Sequence, residues 1–202
     1  MAARDQSNDT AARAPARRDR RHLKHEVTRR EILDEAWAMV RADGLASLSL
    51  RALARVIGIE PQSLYTYFAS KNDVYDAMFL DGNRELLERL DAIDWPDEPK
   101  GILRASARAF VEFSAEDPAR HQLMFQRTIP GFEPSPSSYA VAIEVYERMQ
   151  TMLAAAGLSD PLDFDLWTAV VSGLAAQQLA NDPQGDRYLR LIDKAINIYG
   201  GS

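Results

Sequence analysis

Helical periodicity with no competing pattern is the feature that most constrains this chain. From Thr28 onward apolar residues return every three or four positions, and no window alternates apolar with polar as a half-buried strand would. Ile32, Leu33, Ala36, Met39 and Val40 share one helical face, which Gly44 ends as a C-cap. Ser49 is placed to cap a short helix through about Ile57, which Gly58 breaks. Pro61 follows where the first turn of another short helix tolerates proline. Ser70 caps a long helix on which Tyr75, Phe79, Gly82, Leu86, Leu90 and Ile93 form one stripe. Beyond the breaker Trp95-Pro96-Asp97-Glu98-Pro99, the spacing predicts helices over 100–115, 118–127, 137–156, 162–181 and 185–199. Residues 130–136 read as a loop, and no internal repeat is present. The chain is expected to be all-α.

Of the 202 residues, 46% are hydrophobic, enough to fill a sizeable core. No apolar run approaches the roughly 20 residues that span a bilayer, and Met1 to Arg21 lacks the apolar stretch of a secretory signal. Cysteine is absent, which excludes disulfides, thiolate catalysis and Cys-ligated zinc. A reducing cytoplasm is the expected compartment.

The net charge of -6 argues against a nucleic-acid partner only if it is evenly spread. It is not: residues 1–80 carry a net +2 and residues 81–202 a net −8. Between positions 11 and 30 stand eight basic residues against two acids. The stretch to about Arg21 lacks large apolar side chains and is expected to have no structure of its own. A basic front on an acidic body suggests a division of labour, although a solvated polar tail has the same composition.

The segment from Leu50 to Phe68 meets the requirements of a helix-turn-helix. Two steeply crossed helices need a small residue where they touch, which Ala54 supplies. Gly58, four residues on, is free to take the positive φ of a tight turn. Leu53, Ile57, Ile59 and Leu64 would hold the pair together, leaving Gln62, Ser63, Tyr65, Thr66 and Tyr67 with tips suited to base edges and phosphates. Spacing alone also permits a plain helical hairpin.

The residues themselves say more. The run from Thr28 to Lys71, with Ser49-Leu50-Arg51-Ala52-Leu53-Ala54, then Gly58-Ile59-Glu60-Pro61-Gln62-Ser63-Leu64-Tyr65-Thr66-Tyr67-Phe68 and Ser70-Lys71, closely resembles the N-terminal domain of TetR-type (TetR/AcrR) transcriptional regulators. The resemblance implies a disordered basic arm over 1–22, a three-helix DNA-binding domain over 23–72, and a helical ligand-binding and dimerisation domain over 73–202. It implies a homodimer on a palindromic operator in double-stranded DNA, released by a small-molecule effector. Ser49 would cap its helix and touch phosphate, with Arg51 beside it, while Gln62, Ser63 and Thr66 would face the major groove. Tyr65 would partly support the helix, Tyr67 would reach a phosphate, Thr28 would join the surface, and Lys71 would contact the backbone. Glu60 departs from the Ser or Thr common at its position; its carboxylate is expected to cap the recognition helix. Arg17, Arg18, Arg20, Arg21 and Lys24 are candidates for an arm that crosses the backbone or enters the minor groove.

The body is rich in residues that could line a largely apolar cavity: Phe110, Phe113, Met124, Phe125, Phe132 and Tyr139, followed by Tyr146, Met149, Met152 and Trp167. His121 lies among them. The same residues at helical spacing also make an ordinary core. Ala169, Ser172, Gly173, Ala175 and Ala176 permit close helix approach, and the resemblance implies dimerisation through 162–181 and 185–199. Catalytic signatures are missing: there is no phosphate-binding glycine loop and no nucleophile elbow, and the three histidines form no metal or acid–base pattern. No enzyme, cofactor or metal is expected. A helical protein-interaction adaptor, or a regulator without an inducer, is the competing reading.

Overall fold

The computed structural model describes residues 9–199, and the side chains of 22–198. Among them there is no strand. The helices are α1 (Asp9–Asp43), α2 (Leu50–Ile57), α3 (Pro61–Leu64), α4 (Lys71–Asp91), α5 (Pro99–Glu116), α6 (Pro118–Phe125), α7 (Pro136–Ala155), α8 (Pro161–Asn181) and α9 (Ile192–Tyr199), with 3-10 turns at Leu45–Ser47 and Leu189–Leu191. Five of them begin with proline at the first or second helical position. That proline forfeits an amide which would have no intrahelical partner anyway.

Side chains close the helix starts. Ser70 and Asp73 form a reciprocal capping box at α4, and Asp117, Ser135 and Asp160 cap α6, α7 and α8.

Two expectations need correction. The backbone of residues 9–22 continues α1 rather than lacking structure of its own. Alanine and arginine dominate that stretch and favour helix without any apolar face. The last helix is also far shorter than 185–199, because the buried Gln178 organises the chain that follows α8. Its side-chain amide donates to the carbonyls of Asp182 and Gly185 (3.0 Å for the latter), while its oxygen accepts from the Tyr188 amide at 3.0 Å. Helix resumes only at Ile192 after a 3-10 turn.

One core joins α1 to α3 with the first turns of α4, around Ile32, Trp37, Leu53, Leu64, Phe68 and Met78, and takes in Ala119 and Leu123 of α6. Packing is therefore continuous across residue 72. A second core lies among α5, α7, α8 and α9, centred on Trp167, and a third holds the C-terminal half of α4 against α5 and α7. The helix α4 is thus the shared spine of head and body. Asp81 on it accepts from Trp37 Nε1 at 2.9 Å and pairs with Arg30 of α1. At α6, the buried Asp117 pairs with Arg41 of α1 at 2.7 Å.

Candidate nucleic-acid interface and effector cavity

The recognition element is built by anchoring one side and exposing the other. Ser49 accepts from the Ala52 amide at 3.4 Å and starts α2. Ala54 is fully buried, and Gly58 takes the left-handed conformation (φ 76, ψ 30), its amide closing on the Ala54 carbonyl. The second helix, α3, is a single turn continued by the turn at 65–67, with Tyr67 and Phe68 amides bonded to the Leu64 carbonyl. Leu64 and Phe68, 0% and 1% exposed, pin it from below. Gln62, Ser63, Tyr65 and Thr66 are left on the solvent side.

One expected role changes. Glu60 occupies the N-cap position but its carboxylate makes no cap. Its own carbonyl accepts the Ser63 and Leu64 amides, and Pro61 offers none. Tyr65 is 55% exposed. The Thr66 hydroxyl donates to the Ser63 carbonyl at 2.7 Å, which leaves it an acceptor toward a partner. Lys71 donates to the Ala46 carbonyl at 3.1 Å, tying its ammonium to the 3-10 turn. Arg51 is exposed and Thr28 half-buried.

Tyr67 is held in a way no local pattern signals. Its ring stacks on His25 at 4.5 Å, and its carbonyl accepts from Arg29, whose guanidinium lies 4.1 Å over the Phe68 ring. Arg29 is thereby a positioning residue reaching across 38 positions of sequence. Arg55, one turn after Arg51, joins Ser49, Arg51, Ile59 and Pro61 along a groove between α2 and α3. Lys24 is exposed; the side chains of Arg17, Arg18, Arg20 and Arg21 lie outside the described residues.

In the body a cavity of about 390 Å³ opens among α4 to α8. Phe110 reaches it from α5, Met124 and Phe125 from α6, Tyr139, Tyr146 and Met149 from α7, and Trp167 from α8. Four expected wall residues stand elsewhere, the half-buried Met152 among them. Phe113 is fully buried beneath the Arg120 guanidinium, 3.6 Å from its centroid. Phe132 packs edge-on against Tyr75 on the head side. His121 sits one layer behind the wall, its Nδ1 3.0 Å from Ser114 Oγ and its ring 5.4 Å from that of Phe125. Burial holds the His121 imidazole below its ordinary range. The α4 wall, with Phe79 and Asn83, and the polar edge of α8, with Asp165, Thr168 and Ser172, were not foreseen. Apolar spacing on a central helix gives no sign of which turn faces a void.

The outer side of α8 exposes Leu162 and Leu166, at 76% and 55%, in line with the exposed Ala169, Gly173 and Ala176; α9 exposes Ile198 at 74%. Ala175 instead points into the chain's own core, because it lies on the opposite face of α8. No helix among the described residues is long and apolar enough to cross a membrane.

A helix-turn-helix head sharing its spine with a cavity-bearing helical body defines a class of two-part helical proteins. Residues 32–78 match the family described as bacterial regulatory proteins, tetR family. That match is confined to the head, and the chain's fold is similar to that of a solved TetR/AcrR-family regulator. It is 30% identical over 122 residues to the HTH-type transcriptional regulator Rv1816 of Mycobacterium tuberculosis, an alignment covering 57% of this chain and 47% of that protein. The chain thus spans about half the length of the curated relatives it matches. Among solved structures, a TetR/AcrR-family transcriptional regulator from Thermobifida fusca superposes with a TM-score of 0.62 at 26% identity, covering 84% of this chain and 96% of the other. The transcriptional regulator FadR from Bacillus subtilis, solved in complex with stearoyl-CoA, gives 0.60 at 17% identity, with 84% and 96% covered. All three are described as transcriptional regulators.

Proposed function

We propose that this protein is a cytoplasmic, homodimeric transcriptional repressor that binds a palindromic operator and leaves it when a largely apolar small molecule enters the body cavity. The observation that carries the reading is the recognition turn, with Gln62, Ser63 and Thr66 displayed outward and Leu64 and Phe68 locked beneath. Side chains of this kind read base edges, while Ser49, Arg51, Arg55 and Tyr67 are spaced around them for phosphates. Lys24 and the arginines at 17, 18, 20 and 21 add a salt-sensitive contact from the arm.

The exposed apolar stripe of α8, with Ile198 of α9, is the surface through which two copies pair. Pairing there sets two recognition turns about one helical turn of DNA apart. The effector acts by population shift, favouring a dimer whose heads no longer match the half-sites. Coupling of this kind is typically about 1–3 kcal/mol, a roughly 5–150-fold change in affinity. The stearoyl-CoA complex of FadR supports the view that this fold can house an amphipathic molecule.

Selection of bound sequences from a random DNA library, followed by fluorescence anisotropy across a salt series, tests the reading. A two-fold-symmetric consensus and a steep fall of affinity with salt are expected. A protein-interaction adaptor would enrich no sequence and show no salt slope, and that result would end the proposal.

A further inference from the structure

We infer that the body cavity takes an amphipathic cation, with its charged head beside Asp165 and its apolar part among the aromatic rings. The inference rests on reading the cavity as an effector site and names the chemistry that site would accept.

Three observations converge. Asp165 is the sole acidic residue in the lining, and no lysine, arginine or histidine lines the cavity. Its carboxylate has no hydrogen bond or ion pair among the described residues, although its backbone carbonyl accepts from Thr168. An anionic ligand would meet this unpaired charge, which stands at the exposed edge of the cavity, with no lining cation to offset it.

The second observation is the state of two of the lining hydroxyls. Ser106 donates its hydroxyl proton to the Leu103 carbonyl at 2.9 Å, and Thr168 donates its own to the Asp165 carbonyl at 3.0 Å. A hydroxyl has one proton to give, so both now face a ligand as acceptors only. They complement a donor or a positive charge rather than a carboxylate.

The third is the wall itself. The paired rings of Phe110 with Phe125 and of Tyr146 with Phe164, centroids 5.1 and 5.0 Å apart, stand with Trp167 around the void. Aromatic faces are negative at their centres and attract cations that have shed water. Residues 81–202 carry a net −8, which raises the local concentration of a positive ligand and lowers that of an anion. A neutral apolar molecule would fill the cavity without using Asp165.

Isothermal titration of the full chain with decyltrimethylammonium, 1-decanol and undecanoate separates these cases, because the three probes share one tail length. The cation is expected to bind about tenfold more tightly than the alcohol, with undecanoate weakest. Asp165→Asn should bring the cation down to the alcohol's affinity and leave the alcohol unchanged. Ala142→Trp, which fills the cavity from α7, should abolish binding of all three. Decanol or undecanoate binding as tightly as the cation, or an Asp165→Asn protein that keeps the cation's advantage, overturns the inference while leaving the effector cavity in place, provided Ala142→Trp still blocks the alcohol. Binding of none of the probes removes the effector reading and the inference together.

Discussion

Gln178→Ala is the substitution that most directly tests how the C-terminal end is held. The side chain is fully buried and makes three bonds, donating to Asp182 and Gly185 and accepting from Tyr188. Removing it deletes three bonds at about 1 kcal/mol net each. Asp182 and Tyr188 are only half-buried and Gly185 is exposed, so water can re-solvate much of what is orphaned. The expected loss is therefore about 2–3 kcal/mol rather than the larger penalty of three dry orphans. For a chain of 202 residues that corresponds to a fall in Tm of roughly 5–10 °C at fixed protein concentration. Urea unfolding followed by circular dichroism should show a lower midpoint at unchanged slope. Gln178→Glu is the sharper control, since its carboxylate can still accept from Tyr188 but turns both donor contacts into repulsions. A Glu variant as stable as the parent, or an Ala variant within about 2 °C of it, would refute the reasoning.

The remaining predictions concern the head, the arm and one buried base. Gln62→Ala should flatten preference at one base pair, by about 1–3 kcal/mol in anisotropy against operator variants, while Tyr67→Phe should weaken every sequence alike. Deleting residues 1–22 should lower both affinity and the salt slope, since it removes arm arginines whose phosphate contacts release counterions; an unchanged slope rules out the arm. Burial lowers the His121 imidazole, so the folded protein disfavours its protonation. Its contribution is thus present above the ordinary value near 6.5 and is lost as pH falls below it. Thermal melts from pH 7.5 down to 5 should show a decline that is smaller in His121→Gln.

Element starts were the most legible part of the chain, because they are written in local chemistry. Ser49, Ser70 and the prolines at 61, 99, 118, 136 and 161 act within one turn of themselves. The recognition turn was legible for the same reason: Ala54, Gly58 and Leu64 meet their steric tasks inside 11 residues. What escaped was set by partners far away in sequence. Gln178 looks like any polar residue on a helix until the loop it captures folds over it. Arg29 looks like one more base in a basic run, yet it clamps Tyr67. Phe113 and Phe110 are one turn apart and chemically identical, yet Phe110 meets the cavity while Phe113 lies beneath Arg120.

The same distant packing explains how a cavity in the body can matter to the head. The eight residues of α6 border both. Met124 and Phe125 form part of the cavity wall, while Ala119 and Leu123, on the same helix, belong to the core of the head. Asp117 caps that helix and also pairs with Arg41 of α1, so its first turn is fastened to the head by a charge as well as by packing. Gly82 lets α6 lie this close to α4: a Cβ there would stand 2.6 Å from the Met124 sulfur. A ligand that pushes Met124 outward has little free space to use before α6 itself must shift, because packed interiors transmit displacement rather than absorb it. Under the proposed function, the short helix that the sequence marks only by Asp117 and Pro118 is where occupancy of the cavity is converted into movement of the DNA-reading surface.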